Sequence, residues 1–240
     1  MISVKNLEKY FGETHVLKNI NCKVGDGETI VIVGPSGSGK STFLRCLNLL
    51  ETPSSGKIWF DDVEITDPSN DISKVRQKMN MVFQQFNLYN NLTVLKNITL
   101  APIKLKKVEK KQAEKEAMAL LEQIDLSDKA SAYPSQLSGG QRQRVAIVRS
   151  LAMKPKVVLF DEPTSALDPE MTAEVLKAME KLSQLGLTMI CVTHEMEFAK
   201  KVANRVIFME DGQIVEENQP NEIFSNPQSE RLKSFLSKIL

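Results

Sequence analysis

Residues 29–42 read TIVIVGPSGSGKST, and the fold turns on them. The run 29–33 is β-branched and apolar without alternation, the pattern of a central strand covered on both faces. GPSGSGKST follows at 34–42, matches GxxxxGK[ST], and leads into a helix-like segment. In that setting the glycines let backbone N–H groups turn inward around phosphate oxygens, and the helix dipole adds positive potential. The candidate phosphate-binding residues are therefore Gly34, Pro35, Ser36, Gly37, Ser38, Gly39, Lys40, Ser41 and Thr42. Lys40 is placed to reach the β and γ phosphates, and the Ser41 hydroxyl to ligate Mg²⁺. The plainer alternative, a glycine-rich turn between strand and helix, does not account for the lysine and the Ser-Thr pair at that spacing.

Outward from this motif, short β-branched runs recur: ISV, GKIWF, NMVF, KVVLF and TMICVT. Helix-like segments such as 40–49 and 169–185 lie between them, and the alternation predicts an α/β fold with a parallel sheet. Residues 92–153 break the rhythm. They hold no strand pattern, and KKQAEKEAMALLEQIDL sets apolar residues at helical spacing among good helix formers. A helical lobe inserted into the α/β core is expected there, with a short surface helix at 229–240.

The composition sets outer limits. The chain has 240 residues, 42% hydrophobic and 25% charged, with a formal net charge of +1. That length can bury a proper core, and the balanced charge offers no overall basic field to attract nucleic acid. No apolar run approaches the roughly 20 residues that span a bilayer, and MISVKNLEKYFG lacks the basic-then-apolar order of a signal peptide. Cys22, Cys46 and Cys191 have no metal-ligand or CxxC spacing. They are expected to be buried thiols in a reducing, cytoplasmic compartment. Residues 104–117 carry six lysines and three glutamates, net +3 by subtraction, which a solvated helix face explains.

Acids follow the run at 157–160. Its carboxyl end delivers Asp161 and Glu162 to the crevice where open α/β sheets bind ligands. Asp161 suits a Mg²⁺ ion held through water, and Glu162 suits a general base that orients and deprotonates an attacking water. Alternatively, two acids before a proline merely end a strand. His194 closes the apolar run 188–193 at the same sheet edge, where it could sense or stabilise a γ-phosphate. His15, the only other histidine, reads as a surface residue on an edge strand. Gln84, where VFQQFNL leaves a strand, could reach Mg²⁺ and link it to the lobe, or simply be solvated.

QLSGGQRQR contains a second anion cradle with no lysine. Ser138 is a good N-cap, Gly139 and Gly140 permit close approach, and Val145, Val148 and Ala152 give the next helix a buried face.

Taken in order, GPSGSGKST, Gln84, LSGGQ, VVLFDEPTSALD and VTHE resemble the nucleotide-binding subunit of an ABC transporter, over nearly the whole chain to about Glu217. The resemblance implies a P-loop NTPase core (1–91 and 154–225) with a mixed, mostly parallel sheet, an amino-terminal antiparallel β region and the helical lobe. It implies ATP and Mg²⁺ as ligands, with Ser41, Gln84 and Asp161 on the metal side. It also implies that two subunits meet head to tail, so that Ser138, Gly139, Gly140 and Gln141 serve the partner's nucleotide. Asp168 falls at the subunit interface, Glu162 and His194 become the catalytic base and switch, and Phe11, with Tyr10 as the alternative, stacks on adenine beside Val16. Integral-membrane permease subunits are the implied partners, a peripheral position on the cytoplasmic face the implied location, and nucleic acid is not implied.

Finer features resemble the polar amino acid uptake branch: LRCLNLLE, VFQQFNLYNNLTVLKNITLAPIKLKK, YPSQLSGGQRQRVAI and VTHEMEFAKKVANRVIFMEDGQIVEE. An extracytoplasmic amino-acid-binding protein is then an indirect partner. One departure is VRSLAM at 148–153, where such proteins more often show alanines around the arginine. Two other classes compete with this reading. A non-transport ABC ATPase usually needs a long coiled-coil insertion or two nucleotide domains in one chain. A non-hydrolysing ATP-gated module sits poorly with an intact Glu162 and His194.

Overall fold

The computed structural model describes residues 1–239. The chain begins with β1 (Ile2–Phe11), β2 (Thr14–Val24), β3 (Thr29–Val33), α1 (Lys40–Leu47), β4 (Ser55–Phe60), β5 (Val63–Glu64), α2 (Ile72–Arg76) and β6 (Met79–Val82). Three longer helices follow: α3 (Val94–Lys106), α4 (Lys110–Glu122) and α5 (Gly139–Leu151). The remainder is β7 (Val157–Asp161), α6 (Pro169–Gln184), β8 (Thr188–Val192), α7 (Met196–Val202), β9 (Arg205–Glu210), β10 (Gln213–Asn218), α8 (Pro220–Ser225) and α9 (Glu230–Leu236).

The uninterrupted apolar runs are the centre of a six-stranded sheet in the order β10-β9-β3-β8-β7-β6. All five residues of β3, of β7 and of β8 are buried. Their pairings are parallel, and only β9–β10 is antiparallel, so the sheet is mixed and mostly parallel. A four-stranded antiparallel sheet, β2-β1-β4-β5, is built from the amino-terminal region. Its alternating strands bury one face, so Ile2, Val4, Leu7, Leu17, Ile20 and Ile58 share a core with Phe43 and Leu44 of α1 and Ile30 and Ile32 of β3. The opposite face of the large sheet packs on α6, α7 and the two carboxy-terminal helices through residues such as Phe160, Val175, Met179 and Phe208.

The lobe between β6 and β7 has its own core, in which Val94, Ile98, Leu121, Val145 and Val148 meet Ala178 of α6. Burying each such aliphatic side chain is worth roughly 1.5–3 kcal/mol. The lysine-rich run is not one helix face. Lys107 turns left-handed at φ 57° and ends α3, and Glu109 caps α4 by accepting from the Gln112 N–H. α1 stops two residues short of the expected end, because Asn48 caps it and Leu49 is left-handed. The carboxy-terminal helix, expected over 229–240, ends at Leu236 with Ser237 as its cap, and only Leu240 of that range lies outside the described residues. β10 and α8 had no sequence pattern strong enough to announce them.

Candidate functional site

At the carboxyl ends of β3, β7 and β8, three chain segments converge on one crevice. After β3, Gly34 is buried at φ 149°, and a Cβ built on it would lie 2.0 Å from the Met209 carbonyl oxygen. No other residue fits, because the end of β9, just before the β9–β10 turn, presses directly on the loop. Gly212 in that turn donates its N–H to the Ser38 carbonyl at 3.2 Å and accepts from the Lys18 N–H at 2.8 Å. The Val16 carbonyl lies 2.9 Å from the Cβ position of Gly39. The phosphate loop is thus braced from β2 and β9 together. Within it, Lys40 is 4% exposed and donates to the Gly34 and Pro35 carbonyls at 2.9 and 2.8 Å. Burial lowers its pKa, and the carboxylates of Glu162 and Asp161 partly restore it. The Ser38 hydroxyl is buried with no partner among the described residues, while Ser36 and Gly37 are exposed at the mouth of the loop and Ser41 and Thr42 are half-buried at the start of α1.

Asp161 ends β7, is buried, and receives Arg45 of α1 on Oδ2, from Nε at 3.0 Å and Nη2 at 2.9 Å. Its Oδ1 is buried without a partner among the described residues. Glu162 leaves the strand in a left-handed conformation at φ 47°, its N–H held by the Val192 carbonyl at 3.0 Å. A non-glycine residue there is strained, and that turn aims the carboxylate away from the sheet. His194, just beyond β8, places Nε2 3.3 Å from Glu162 Oε1. An acid and a histidine within hydrogen-bond reach, beside the phosphate loop, can orient a water toward a phosphoryl group.

The second cradle lies at the start of α5. Ser138 Oγ accepts from the Gln141 N–H at 3.2 Å, and Gln141 Oε1 accepts from the Ser138 N–H at 3.0 Å, a reciprocal cap. The glycines here are packed by their own chain. A Cβ on Gly140 would meet Met171 Cβ at 2.9 Å, and one on Gly139 would meet Leu167 at 3.0 Å. Met171 is delivered by Asp168, which caps α6 by accepting the Met171 N–H at 2.9 Å. Gln84 is exposed in the loop after β6 and lines a recess of about 380 Å³ with Arg45 and Glu51. At the antiparallel sheet, Tyr10 stacks on His15 with ring centroids 4.0 Å apart, and His15 Nε2 meets Glu8 Oε2. His15 is therefore a half-buried partner of Tyr10 rather than a free surface residue, and Phe11, 47% exposed, is the ring not engaged by another ring.

The family model described as "ABC transporter" matches residues 17–165. The chain belongs to the ABC transporter family. It is 59% identical over its full length to a glutamate/glutamine/aspartate/asparagine transport ATP-binding protein, BztD, of Rhodobacter capsulatus, covering 91% of that protein. It is 57% identical to the glutamine transport ATP-binding protein GlnQ of Geobacillus stearothermophilus, covering all of this chain and 99% of the other. A solved ATP-binding cassette, dimeric in a post-hydrolysis state with ADP and Pi, superposes with a TM-score of 0.82 at 37% identity, over 92% of this chain and 99% of that one. The ABC subunit described here is accordingly an ATP-binding α/β cassette, an ATPase coupled to transport. No helix among its described residues is long and apolar enough to cross a membrane.

Sequence reasoning missed four contributors to this ABC site. Arg45 and Gly212 have been described. Gln143 of α5 is fully buried and donates from Nε2 to the Phe83 carbonyl at 3.1 Å, and Arg149 donates to the Phe86 carbonyl at 3.2 Å and to that of Asn87. Their signal was present: Gln143 is a polar residue on the apolar face of an amphipathic helix.

Proposed function

We propose that this chain is the ATP-hydrolysing subunit of an importer for polar amino acids. Two copies would sandwich two ATP molecules, each between one phosphate loop and the LSGGQ segment of the other copy. The observation that carries the chemistry is the Glu162–His194 pair at 3.3 Å beside the phosphate loop. The amino acid class rests on similarity to proteins named for glutamate, glutamine and general amino acid transport. Glu162 accepts a proton from the water whose oxygen attacks the γ-phosphorus as the bond from that phosphorus to the β-phosphate oxygen breaks, releasing ADP and phosphate, and His194 holds that carboxylate in place. Lys40 donates to phosphate oxygens, Phe11 stacks on adenine, and Val16 lies beside it.

The residues also suit Mg²⁺, a hard cation that prefers oxygen ligands, because Asp161 has a buried Oδ1 with no partner among the described residues. Ser41, Asp161 through water, and Gln84 would hold it, and the ion would supply neutralisation of the charge that develops on the phosphates. Residues 1–91 and 154–225 act as the core lobe and 92–153 as the helical lobe. Between them lies a groove of about 510 Å³ lined by Asn80, Tyr89, Leu100, Lys104 and Arg149, which suits a helix of a permease at the cytoplasmic face. A separate amino-acid-binding protein would deliver the solute outside the membrane.

The test is Glu162→Gln. Loss of a positioned base typically costs ~10²–10⁴-fold, so turnover should fall by that factor with ATP affinity kept. Light scattering with MgATP should then show a trapped dimer, and a strictly monomeric solution at saturating nucleotide would reject the sandwich. Stimulation of hydrolysis by a reconstituted permease and binding protein, amino acid by amino acid, tests the solute class.

A further inference from the structure

We infer that Arg45 is a positioning residue for Asp161, fixing which of its two carboxylate oxygens is left to face the nucleotide's magnesium. The inference rests on the reading of Asp161 as the metal-side acid. Three observations support it. Asp161's side chain is 3% exposed, so its orientation is set by protein partners and not by water. Arg45 reaches one oxygen only, placing both Nε and Nη2 on Oδ2, which leaves Oδ1 buried and unpaired among the described residues. Arg45 also lies four residues after Ser41 on α1, hence on the same helix face, so one helix presents both the Ser41 hydroxyl and the guanidinium that sets the acid.

A carboxylate buried in this way costs heavily unless it is paired, and a planar guanidinium pairs it while dictating its rotation. A lysine would supply charge from a single point and leave the rotation free. Arg45 itself is 44% exposed at its side chain, so its place is set by Asp161 more than by its own burial. Its contact is with Asp161, so it acts through that carboxylate.

Outer contacts that orient a metal ligand typically contribute 10–100-fold to metal affinity. Fluorescent ATP-analogue binding, titrated with Mg²⁺ and repeated in EDTA, reads that contribution without turnover. For Arg45→Ala the half-saturating Mg²⁺ should rise about 10-fold, with binding in EDTA unchanged within about 2-fold. Arg45→Lys should restore only part of the loss, and kcat should fall at saturating Mg²⁺ less than at limiting Mg²⁺. In an Asp161→Asn background the Arg45→Ala effect should vanish. An unchanged Mg²⁺ requirement, tighter Mg²⁺ binding, or an equal loss in EDTA would each overturn the positioning role. If Asp161→Asn leaves the Mg²⁺ requirement unaltered, the reading of the site itself is what fails. Arg45→Gln, which keeps bulk and a donor, replaces the alanine variant if that one does not fold.

Discussion

Lys40 shows how much one residue can be asked to do inside a phosphate loop. The GxxxxGKS spacing made it legible as a phosphate lysine, because the chemistry needs an ammonium at the start of that helix. Nothing in the spacing says that the ammonium donates to the Gly34 and Pro35 carbonyls. Burial lowers its pKa from 10.5, so the folded state holds this proton less well than the unfolded chain does. Stability therefore rises as pH climbs from the lowered folded value toward 10.5, and at neutral pH the charged lysine is a cost. Lys40→Met, which keeps the stem and removes the charge, should melt no lower than the parent without nucleotide at pH 7. Any advantage it has should shrink as pH approaches 10. It should also lose the gain from ATP, which at 100 times Kd is about 2.7 kcal/mol, or roughly 5–10 °C for a chain of this size. A variant that melts well below the parent at pH 7, or that keeps the ATP shift, would contradict this. Glu162 makes the complementary point. Its identity as an acid beside the loop was legible, but its left-handed φ of 47° depends on the Val192 carbonyl from another strand, a contact with no local signature.

At the scale of elements, the apolar runs 29–33, 157–160 and 188–193 were readable as buried strands because burial on both faces removes alternation. The lobe was readable because 92–153 lacks any such run. What escaped was the stitching between elements. The left-handed Lys107 that splits the basic run is set by a turn, and in β10, at the sheet edge, Val215 is exposed while Glu216 is half-buried, so polarity does not follow the strand's alternation. The tie from α5 to the loop after β6 is of the same kind, since Gln143 and Arg149 are separated from their acceptors Phe83, Phe86 and Asn87 by about 60 residues. A buried hydrogen bond contributes about 0.5–1.5 kcal/mol net, up to about a tenfold change in local opening. Gln143→Met keeps the volume and removes the donor. Amide exchange at 83–87 should accelerate by up to about tenfold in that variant, with little change in α6 or β7. Unaltered exchange at 83–87 would mean that Arg149 alone holds the loop and that Gln143 merely fills space.

The whole molecule raises a question its single chain does not answer: why it carries two anion cradles. Lys40 and its loop sit at the end of β3, whereas Ser138 caps α5 in the helical lobe, and within the chain the α5 glycines are packed by Leu167 and Met171 of the α6 region. If LSGGQ serves a second copy's nucleotide, lesions in the two cradles should complement between subunits. Lys40→Ala removes the phosphate lysine, and Ser138→Arg blocks the second cradle with bulk. Each homodimer then carries a defect in both of its sites. In a mixed dimer whose sites are shared, one site collects both lesions and the other is built wholly from intact parts. If each subunit instead completes its own site, both sites stay defective in every combination. Occluded ATP per purified, differentially tagged mixed dimer separates the two, and it is preferable to turnover because both sites could be required to fire together. One ATP per mixed dimer is the expected result. Occupancy no higher than in either parent homodimer would remove the head-to-tail arrangement, and the reciprocal Ser138–Gln141 cap would then stand as no more than the start of a well-formed helix.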